Sequence, residues 1–263
     1  MRGERHHCDT PGICYCQRKT LVAMADLSNT EIGARFDVHE GTVYQWRRYY
    51  ELSAPPQRFA RKYGTDQGFF ARIDTPEKAY ILGFIVADGC IHKSLRTVMI
   101  GLRETDAEIL NQIAQAMRCD APLRYLTRNN GTYPTRYGLV RLELHGTKLV
   151  QHLSALGVSP NKTRTATFPP VPAYLERHLV RGLWDGDGWI GKRAFSLIGP
   201  DALLEGTADA VERHTGLRLR FSPDRQFKRI QGARADRLAL QWMYSGATLA
   251  LPRKMEKYQT YWA

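Results

Sequence analysis

The sequence predicts an α+β protein in which two similar repeats form a saddle of antiparallel sheets, preceded by a small all-α segment. Residues 81–89 and 180–188 share one pattern, in which apolar residues and an early glycine lead to a small residue, an aspartate and a glycine. The two aspartates, Asp88 and Asp187, lie 99 positions apart (187 − 88). Such a spacing suits one mid-sized subdomain per copy, and segments of alternating polarity follow each copy. We therefore expect the function to lie where the two repeats meet.

Composition and charge favour a soluble protein with a polyanionic partner. The 263 residues are 43% hydrophobic, and 38 Lys plus Arg against 26 Asp plus Glu give a net charge of +12. Such a charge favours nucleic acid or an acidic membrane surface. No apolar run approaches the length of a membrane span, and the polar N-terminus does not resemble a signal peptide. Nucleic acid is therefore the expected partner, with no membrane association.

Cysteine usage indicates a reducing compartment, and we expect a cytoplasmic, DNA-associated protein. The five cysteines, an odd number, do not form a disulfide framework, and three of them lie in the first sixteen residues. Residues 1–26 are interpreted as an N-terminal tail. Zinc binding by this tail stays open, although its spacing matches no standard site; the available ligands are His6, His7, Cys8, Cys14 and Cys16.

Residues 27–52 are typical of a helix-turn-helix. Ser28 and Glu31 form a capping-box pattern that starts a first helix ending at Arg35, and residues 36–38 make the turn. In the second helix, at 39–50, Val43 and Trp46 are expected to pack on the first. Its expected DNA-contacting residues are His39, Glu40, Thr42, Gln45, Arg47 and Arg48. The alternative is a helical hairpin that only packs on the main body. Residues 53–71 are interpreted as a linker.

The rest of the chain divides into repeats at 72–168 and 169–263. In the first, the helix ending at Asp88 precedes an alternating stretch at 91–102, a helix at 105–117, strands at 123–128 and 137–144, and a helix at 147–156. In the second, the helix ending at Asp187 precedes a strand at 189–197, a helix at 201–214, strands at 217–221 and 237–243, and a final helix. Period-two alternation makes one sheet face apolar and the other basic. Helices on the apolar face would leave a basic groove for duplex DNA.

The two aspartate motifs resemble the paired LAGLIDADG motifs of single-chain homing endonucleases. The resemblance covers about residues 70–263, and the segments at 157–163 and 251–258 resemble the elements that close each repeat in that family. It implies a monomeric endonuclease of intron homing that cuts both DNA strands across the minor groove at a long, asymmetric site. It also implies that the backbone carbonyls of Ala87 and Gly186 add metal ligands.

The residues themselves agree with this resemblance. Gly83 and Gly182, with the small Ala87 and Gly186, would let two helices approach closely and bring Asp88 and Asp187 together. Two carboxylates at helix C-termini repel each other and oppose the helix dipoles, so a divalent cation is expected to neutralise them. Oxygen ligands completed by DNA phosphates suit Mg²⁺ or Mn²⁺.

Two lysines are candidate catalytic groups. Lys162 follows Asp88 by 74 residues (162 − 88), and Lys254 follows Asp187 by 67 (254 − 187). A lysine near each scissile phosphate would stabilise charge in the transition state or polarise the attacking water, as the resemblance implies. The alternative is that both are ordinary members of a basic surface.

Basic side chains of the predicted sheets are the candidates for DNA contacts. They are Arg96, Arg124, Arg128, Arg136, Arg141, Lys192, Arg193, Arg218, Arg220, Arg225, Lys228 and Arg234. Phosphate contacts would supply affinity, and base contacts would supply specificity.

Some positions depart from the family pattern or lie outside it. Asp185 stands where the first motif has Val86, and is expected to be a helix-end residue rather than an auxiliary acid. Arg181 replaces a small residue and either points away from the helix interface or loosens it. Trp184 and Trp189 are expected to be core or sheet-anchoring aromatics. Three histidines lack metal-ligand spacing, namely His92, His145 and His214.

The function favoured by the sequence is a metal-dependent, site-specific DNA endonuclease. A non-cleaving transcriptional regulator is one alternative, because a scaffold of this type joined to a helix-turn-helix also occurs in such proteins. An RNA-binding intron maturase is another, since nothing in the basic face excludes RNA.

Overall fold

The computed structural model describes residues 19, 21–52, 63–126 and 138–263. The chain divides into two compact units, Met1–Arg61 and Lys62–Ala263. Among the described residues, no helix is long and apolar enough to cross a membrane. The cysteine and histidine cluster of the N-terminal tail lies outside the described residues.

The first unit contains the two helices predicted from the sequence, α1 (Asn29–Phe36) and α2 (Glu40–Tyr49). The capping box forms: the Glu31 N–H donates to Ser28 Oγ at 3.1 Å, and the Ser28 N–H donates to Glu31 Oε2 at 2.7 Å. A left-handed residue, Asp37, follows α1. Ile32 and Val43 are fully buried together, with Trp46 packed against them. The DNA-reading role of this helix pair stays a prediction.

Arg47 corrects part of that prediction. The sequence places it on the exposed face of the second helix, but it is only 3% exposed. Its Nη2 donates to the carbonyl oxygen of Leu27 at 2.7 Å, so the guanidinium ties α2 to the chain that precedes α1. The other predicted contacts of this helix are exposed, namely His39, Glu40, Thr42, Gln45 and Arg48.

The second unit consists of two halves whose elements follow the same order, with one additional helix at the end of the second half. The first half contains α3 (Pro76–Asp88), β1 (Gly89–Ile91), β2 (Thr97–Arg103), α4 (Ala107–Ala116), β3 (Arg124–Leu126), β4 (Leu139–His145) and α5 (Thr147–Ala155). The second contains α6 (Glu176–Asp187), β5 (Gly188–Ile190), β6 (Ala194–Gly199), α7 (Asp201–Thr215), β7 (Arg220–Asp224), β8 (Phe227–Ala233), α8 (Arg237–Tyr244) and α9 (Pro252–Tyr261).

Each half has one antiparallel four-stranded sheet, ordered β1-β2-β4-β3 in the first half and β5-β6-β8-β7 in the second. Alternate residues of the central strands are buried: Val98, Ile100 and Leu102 in β2, and Val140, Leu142 and Leu144 in β4. The opposite face of each sheet carries polar side chains, as period-two alternation requires. The predicted α+β architecture with two antiparallel sheets is confirmed.

Two predictions at the level of single elements are wrong. The alternating stretches that follow each aspartate form short hairpins, β1–β2 and β5–β6, rather than continuous strands. Residues 237–243 were predicted as a strand but form helix α8, and the strand that pairs in this half is β8. The spacing of the buried residues in α8 is that of a helix, with steps of one and three positions instead of the steps of two that a strand requires. These buried residues are Ala239, Leu240, Met243 and Tyr244.

Candidate functional site

Two helices meet along their backbones at the centre of the second unit. A Cβ added at Gly83 of α3 would lie 2.1 Å from the Leu179 carbonyl oxygen, and one added at Gly182 of α6 would lie 2.1 Å from the Tyr80 carbonyl oxygen. No side chain fits at those distances, so the two glycines permit the contact. This close approach is the one predicted from the motif glycines.

The contact continues to the C-terminal ends of the helices. A Cβ added at Gly186 would lie 2.3 Å from the Ala87 Cβ and 3.3 Å from Asp88 Oδ2. Asp88 and Asp187 are the last residues of α3 and α6, so both carboxylates lie at this junction. Asp88 is partly buried, whereas Asp187 is exposed.

The two carboxylates are electrostatically strained. Burial raises the pKa of Asp88 to about 6, the negative charge of Asp187 adds to the increase, and Lys254 and Lys162 oppose it. The pKa of Asp187 is also raised, because the surrounding protein displaces water from the carboxylate even though its residue is exposed, and the same two lysines oppose this increase. Two desolvated carboxylates with raised pKa values favour a positively charged ligand between them.

Each helix end is capped by a buried lysine from the segment that closes its own half. Lys162 Nζ donates to the Ala87 carbonyl oxygen at 3.0 Å. Lys254, in the first turn of α9, donates to the carbonyl oxygens of Trp184 at 2.5 Å, Asp185 at 2.7 Å and Gly188 at 2.7 Å. The carbonyls of Ala87, Trp184 and Asp185 lie in the last turns of α3 and α6, at the negative ends of the helix dipoles, which attract cations. The structure thus brings both predicted lysines to the predicted carboxylates.

The two lysines are held differently. Burial lowers the pKa of Lys162, and burial lowers the pKa of Lys254 to about 8. Lys254 is 2% exposed and also reaches the Gly186 carbonyl oxygen at 3.4 Å. Lys162 is 9% exposed and lines a cavity of about 370 Å³ together with Asp187. The expected metal-ligating carbonyls of Ala87 and Gly186 thus accept hydrogen bonds from ammonium groups.

The donor set suits a hard divalent cation, for which the two carboxylates would be the protein ligands. Asp88 and Asp187 would supply oxygen ligands, and a cation would offset the burial and the charge of Asp187 that together raise the pKa of Asp88. Among the residues that the structure describes, no group of three or more His, Cys, Asp or Glu side chains could hold a metal. Further ligands would have to come from backbone, water or substrate.

Comparison with known proteins identifies the architecture. No family model matches the sequence, and no curated protein matches it. Among solved structures, the homing endonuclease I-WcaI bound to its DNA recognition sequence is similar, with a TM-score of 0.54 and 12% identity over 71% of this chain and 87% of that chain. The chain has the LAGLIDADG homing-endonuclease fold.

Two further solved structures have lower TM-scores. The LAGLIDADG meganuclease I-AabMI bound to uncleaved DNA has a TM-score of 0.47 and 14% identity, covering 72% of this chain and 89% of that chain. The N-terminal LAGLIDADG domain of DUF199/WhiA has a TM-score of 0.46 and 14% identity, covering 77% and 98% respectively. At these identities the likeness is one of fold.

Asp185 is a structural residue of this LAGLIDADG fold. It is fully buried and accepts hydrogen bonds from Tyr80 Oη at 2.8 Å, Tyr244 Oη at 2.5 Å and the Leu251 N–H at 2.7 Å. Burial raises its pKa, and Lys254 opposes that shift. The carboxylate therefore joins α3, α6, α8 and the start of α9, and has no path to a substrate.

Arg181 belongs to the same buried framework. Its Nε donates to the Leu249 carbonyl oxygen and its Nη1 to that of Met243, each at 2.9 Å, and its guanidinium lies 5.2 Å from the Tyr80 ring centroid. Its side chain therefore contacts α3 at Tyr80, and the close glycine contact forms beside it without being loosened. The sequence signal was available, because Arg181 and Asp185 lie four residues apart on one helical face and both are absent from the first motif.

Strand pairing decides which predicted DNA contacts share the polar face of a sheet. Arg124 pairs with Arg141, which pairs with Gly101, on the face opposite the buried leucines and valines. Arg220 pairs with Gln231 on the corresponding face of the second sheet. On the first sheet, Glu143 forms ion pairs with both arginines, 2.6 Å from Arg141 Nη2 and 3.6 Å from Arg124 Nε. The polar face of this sheet is therefore less basic than predicted.

Several other predicted contacts are exposed in turns or at strand ends. They are Arg96, Arg193, Arg218 and Arg225. Arg234 and Lys192 are exposed but engaged by the C-terminal helix, because Arg234 donates to the Tyr261 carbonyl oxygen and Lys192 lies over the Tyr261 ring. Arg128 and Arg136 lie outside the described residues.

Lys228 and Trp189 differ from the sequence expectation. Lys228 pairs in register with Gly199 on the helix-covered side and bonds Asp201 at 2.6 Å, so it does not lie on the polar face. Trp184 is buried as expected, whereas Trp189 is 53% exposed and pairs with Ser196 on the polar face. Sequence reasoning missed Arg229 and Gln231 on this face, because β8 was not recognised as a strand.

The three histidines that lack metal-ligand spacing each have a polar neighbour within hydrogen-bond distance, and they do not cluster with one another. His92 Nδ1 lies 2.8 Å from Ser94 Oγ, and His145 Nδ1 lies 3.1 Å from Thr97 Oγ1. His214 Nε2 lies 2.8 Å from Glu176 Oε2 and its ring stacks on Trp242.

Proposed function

We propose that this chain is a site-specific endonuclease that hydrolyses one phosphodiester bond in each strand of double-stranded DNA, using Mg²⁺ or Mn²⁺. The observation that carries the proposal is the pair of strained carboxylates, Asp88 and Asp187, at the adjoining ends of two glycine-packed helices. A buried lysine flanks each carboxylate. A structural helix pair gains nothing from this arrangement, whereas a metal-dependent hydrolase needs it.

Asp88 and Asp187 would hold the metal, with phosphate oxygens and water completing its shell. When bound, the metal would supply an activated water and charge stabilisation for the leaving oxygen. The chain's own contribution is to place two carboxylates at one junction and keep their basic neighbours fixed. Lys162, which borders the cavity beside Asp187, is positioned to donate to a phosphate oxygen.

Double-stranded DNA is the proposed substrate. The +12 net charge favours a polyanion. Arg124, Arg141 and Arg220 lie on the polar faces of the two sheets. The similar solved structure of I-WcaI is a complex with its DNA recognition sequence. Because the two halves differ in sequence, the site would be asymmetric, and one chain would supply both carboxylates as a monomer.

The test is cleavage of a genomic or randomised DNA library with Mg²⁺, followed by sequencing of the ends. Wild type should give discrete double-strand breaks, and Asp88→Asn and Asp187→Asn should abolish them or leave single-strand nicks. Asp209→Asn is the matched control, because Asp209 is an exposed acid in the middle of α7. Absence of cutting by wild type with both Mg²⁺ and Mn²⁺ would refute the proposal.

A second candidate is a non-cleaving DNA-binding protein, and one observation favours it. The carbonyls of Ala87 and Gly186, the additional ligands suggested by family resemblance, accept hydrogen bonds from Lys162 and Lys254. Ammonium groups there already neutralise part of the negative charge. Sequence-specific binding that is unchanged by EDTA and never accompanied by cleavage would support this candidate.

A further inference from the structure

Strand register allows the polar faces of the two sheets to be compared position by position. In each half, the glycine that follows the aspartate and one buried residue of β4 or β8, Leu142 or Ile230, pair with the same residue of the strand between them. Leu142 and Ile230 therefore correspond. Because alternate residues share a face, their neighbours correspond on the polar faces. The corresponding residues are Arg141 with Arg229, and Glu143 with Gln231.

On the first polar face, one carboxylate holds several basic groups. The Glu143 carboxylate lies 2.6 Å from Arg141 Nη2, 3.6 Å from Arg124 Nε and 3.7 Å from His145 Nε2. The Glu143 side chain is only 12% exposed, whereas the Arg124 side chain is 58% exposed. The basic groups thus surround the acid, and part of the positive charge of this face is neutralised within the chain.

The second polar face differs at the corresponding position. There Gln231 is neutral and pairs in register with Arg220. The arginine that corresponds to Arg141, Arg229, is held instead by Asp224 at the end of β7. Within the described part of the chain, Nε of Arg141 and Nε of Arg229 have no hydrogen-bond partner. The acids therefore leave each guanidinium with a donor unsatisfied.

A carboxylate and a DNA phosphate compete for the same arginine donors. Both are anionic acceptors that form charge-assisted hydrogen bonds with guanidinium groups. When a duplex lies on the first polar face, a phosphate gains an arginine only if Glu143 releases it, and the released carboxylate then repels the phosphate. A duplex that offers Glu143 a donor, such as the amino group of cytosine, avoids this cost, and other sequences do not.

We propose that Glu143 is a specificity-determining residue: it occupies Arg141 and Arg124 in place of DNA phosphate and thereby weakens the binding of nonspecific duplex DNA. Gln231 lacks this effect in the second half, because it carries no charge. Asp224 holds a single arginine and has the same effect to a smaller extent. This inference rests on DNA binding as proposed above, and it adds a residue that limits binding at incorrect sites.

The test measures the affinity for a fluorescent duplex of random sequence, in EDTA so that no cleavage occurs, over a range of salt concentrations. Glu143→Gln should tighten binding about tenfold at low salt. It should also steepen the slope of log affinity against log salt by about 1 to 2, because each new arginine–phosphate contact releases about one counterion. Asp224→Asn should change the slope by about half as much, since it frees one arginine.

The matched control is Asp201→Asn. It changes the net charge equally and also frees a cation, Lys228, but on the helix-covered side of the second sheet, so affinity should change less than about twofold. The reciprocal variant Gln231→Glu places a carboxylate beside Arg220 and should weaken binding about tenfold. Equal effects of Glu143→Gln and Asp201→Asn, or an unchanged salt slope, would overturn the proposal. If Glu143→Gln fails to fold, unchanged binding by Gln231→Glu would overturn it.

These outcomes are separable from those of the proposed function. Wild type that binds duplex DNA without ever cleaving it, together with tighter binding by Glu143→Gln, would refute the endonuclease and retain the role of Glu143. Cleavage by wild type, with nonspecific binding that Glu143→Gln leaves unchanged, would retain the endonuclease and refute that role. Failure of wild type to bind any duplex, in EDTA or in Mg²⁺, would refute both.

Discussion

Replacing Asp88 with asparagine should stabilise the protein at neutral pH while removing DNA cleavage. The pKa of Asp88 is about 6 in the folded chain against an ordinary value of 3.8, because the carboxylate is partly buried beside Asp187. A raised carboxylate pKa means that the folded state holds its proton more tightly than the unfolded chain. Stability therefore falls as pH rises from the unfolded value through the folded value, and the penalty is complete above pH 6.

The size of the effect follows from the shift. A difference of 2.2 units (6 − 3.8) corresponds to roughly 3 kcal/mol of destabilisation at pH 8, and to about 1.6 kcal/mol at pH 5. Asparagine has nearly the same shape and carries no charge. Asp88→Asn should thus raise the free energy of unfolding at pH 8 by up to ~3 kcal/mol, with a smaller gain at pH 5.

The assay is urea unfolding of wild type and Asp88→Asn in EDTA at both pH values. Mg²⁺ should then stabilise the wild type at pH 8 and have less effect on the variant, because a bound cation stabilises only the state that binds it. A variant that is equally stable or less stable than wild type at pH 8, or whose gain is independent of pH, would refute the electrostatic reasoning.

Three further substitutions test the packing. Gly83→Ala should lower the free energy of unfolding by ~3 kcal/mol or more, because the added Cβ would lie 2.1 Å from a backbone oxygen. Gly101→Ala is the control: its added Cβ would have nothing within 4 Å, so the same denaturant titration should show a far smaller decrease. Asp185→Ala should lower the free energy of unfolding by about 3 kcal/mol, because three buried donors lose their acceptor; a thermal midpoint equal to wild type would contradict this. Arg47→Ala should increase hydrogen exchange of α2 in the full chain, while the exposed Arg48→Ala should not; equal effects would contradict the buried role of Arg47.

The repeated motif could be interpreted from sequence because its physics is local. An early glycine, a small residue and a terminal aspartate each describe one helix, and the second copy requires that two such helices meet. The α1 capping box is equally local, since Ser28 and Glu31 are three residues apart. Patterns of this kind can be interpreted from the local sequence, without knowledge of the rest of the chain.

Strand β8 and helix α8 show where local pattern was insufficient. Strand β8 has one large, fully buried side chain, Ile230, and is stabilised by pairing with β6 and β7 rather than by its own alternation. Its sequence therefore carries little signal. Polar residues were harder still, because Arg47, Arg181 and Asp185 are of types usually exposed, and their burial depends on partners far along the chain.

The sequence by itself determined the helices that end at Asp88 and Asp187, because each motif is a local pattern, and the two-repeat architecture, because that pattern occurs twice. The two lysines were found because the segments that contain them resemble the closing elements of a known family. The tertiary structure alone decided which carbonyls those lysines bind, that Asp185 is enclosed while Asp187 is exposed, and that Arg253 of α9 pairs with Asp106 of the first half. These properties depend on contacts between residues about 60 to 150 positions apart, and no local pattern specifies such contacts.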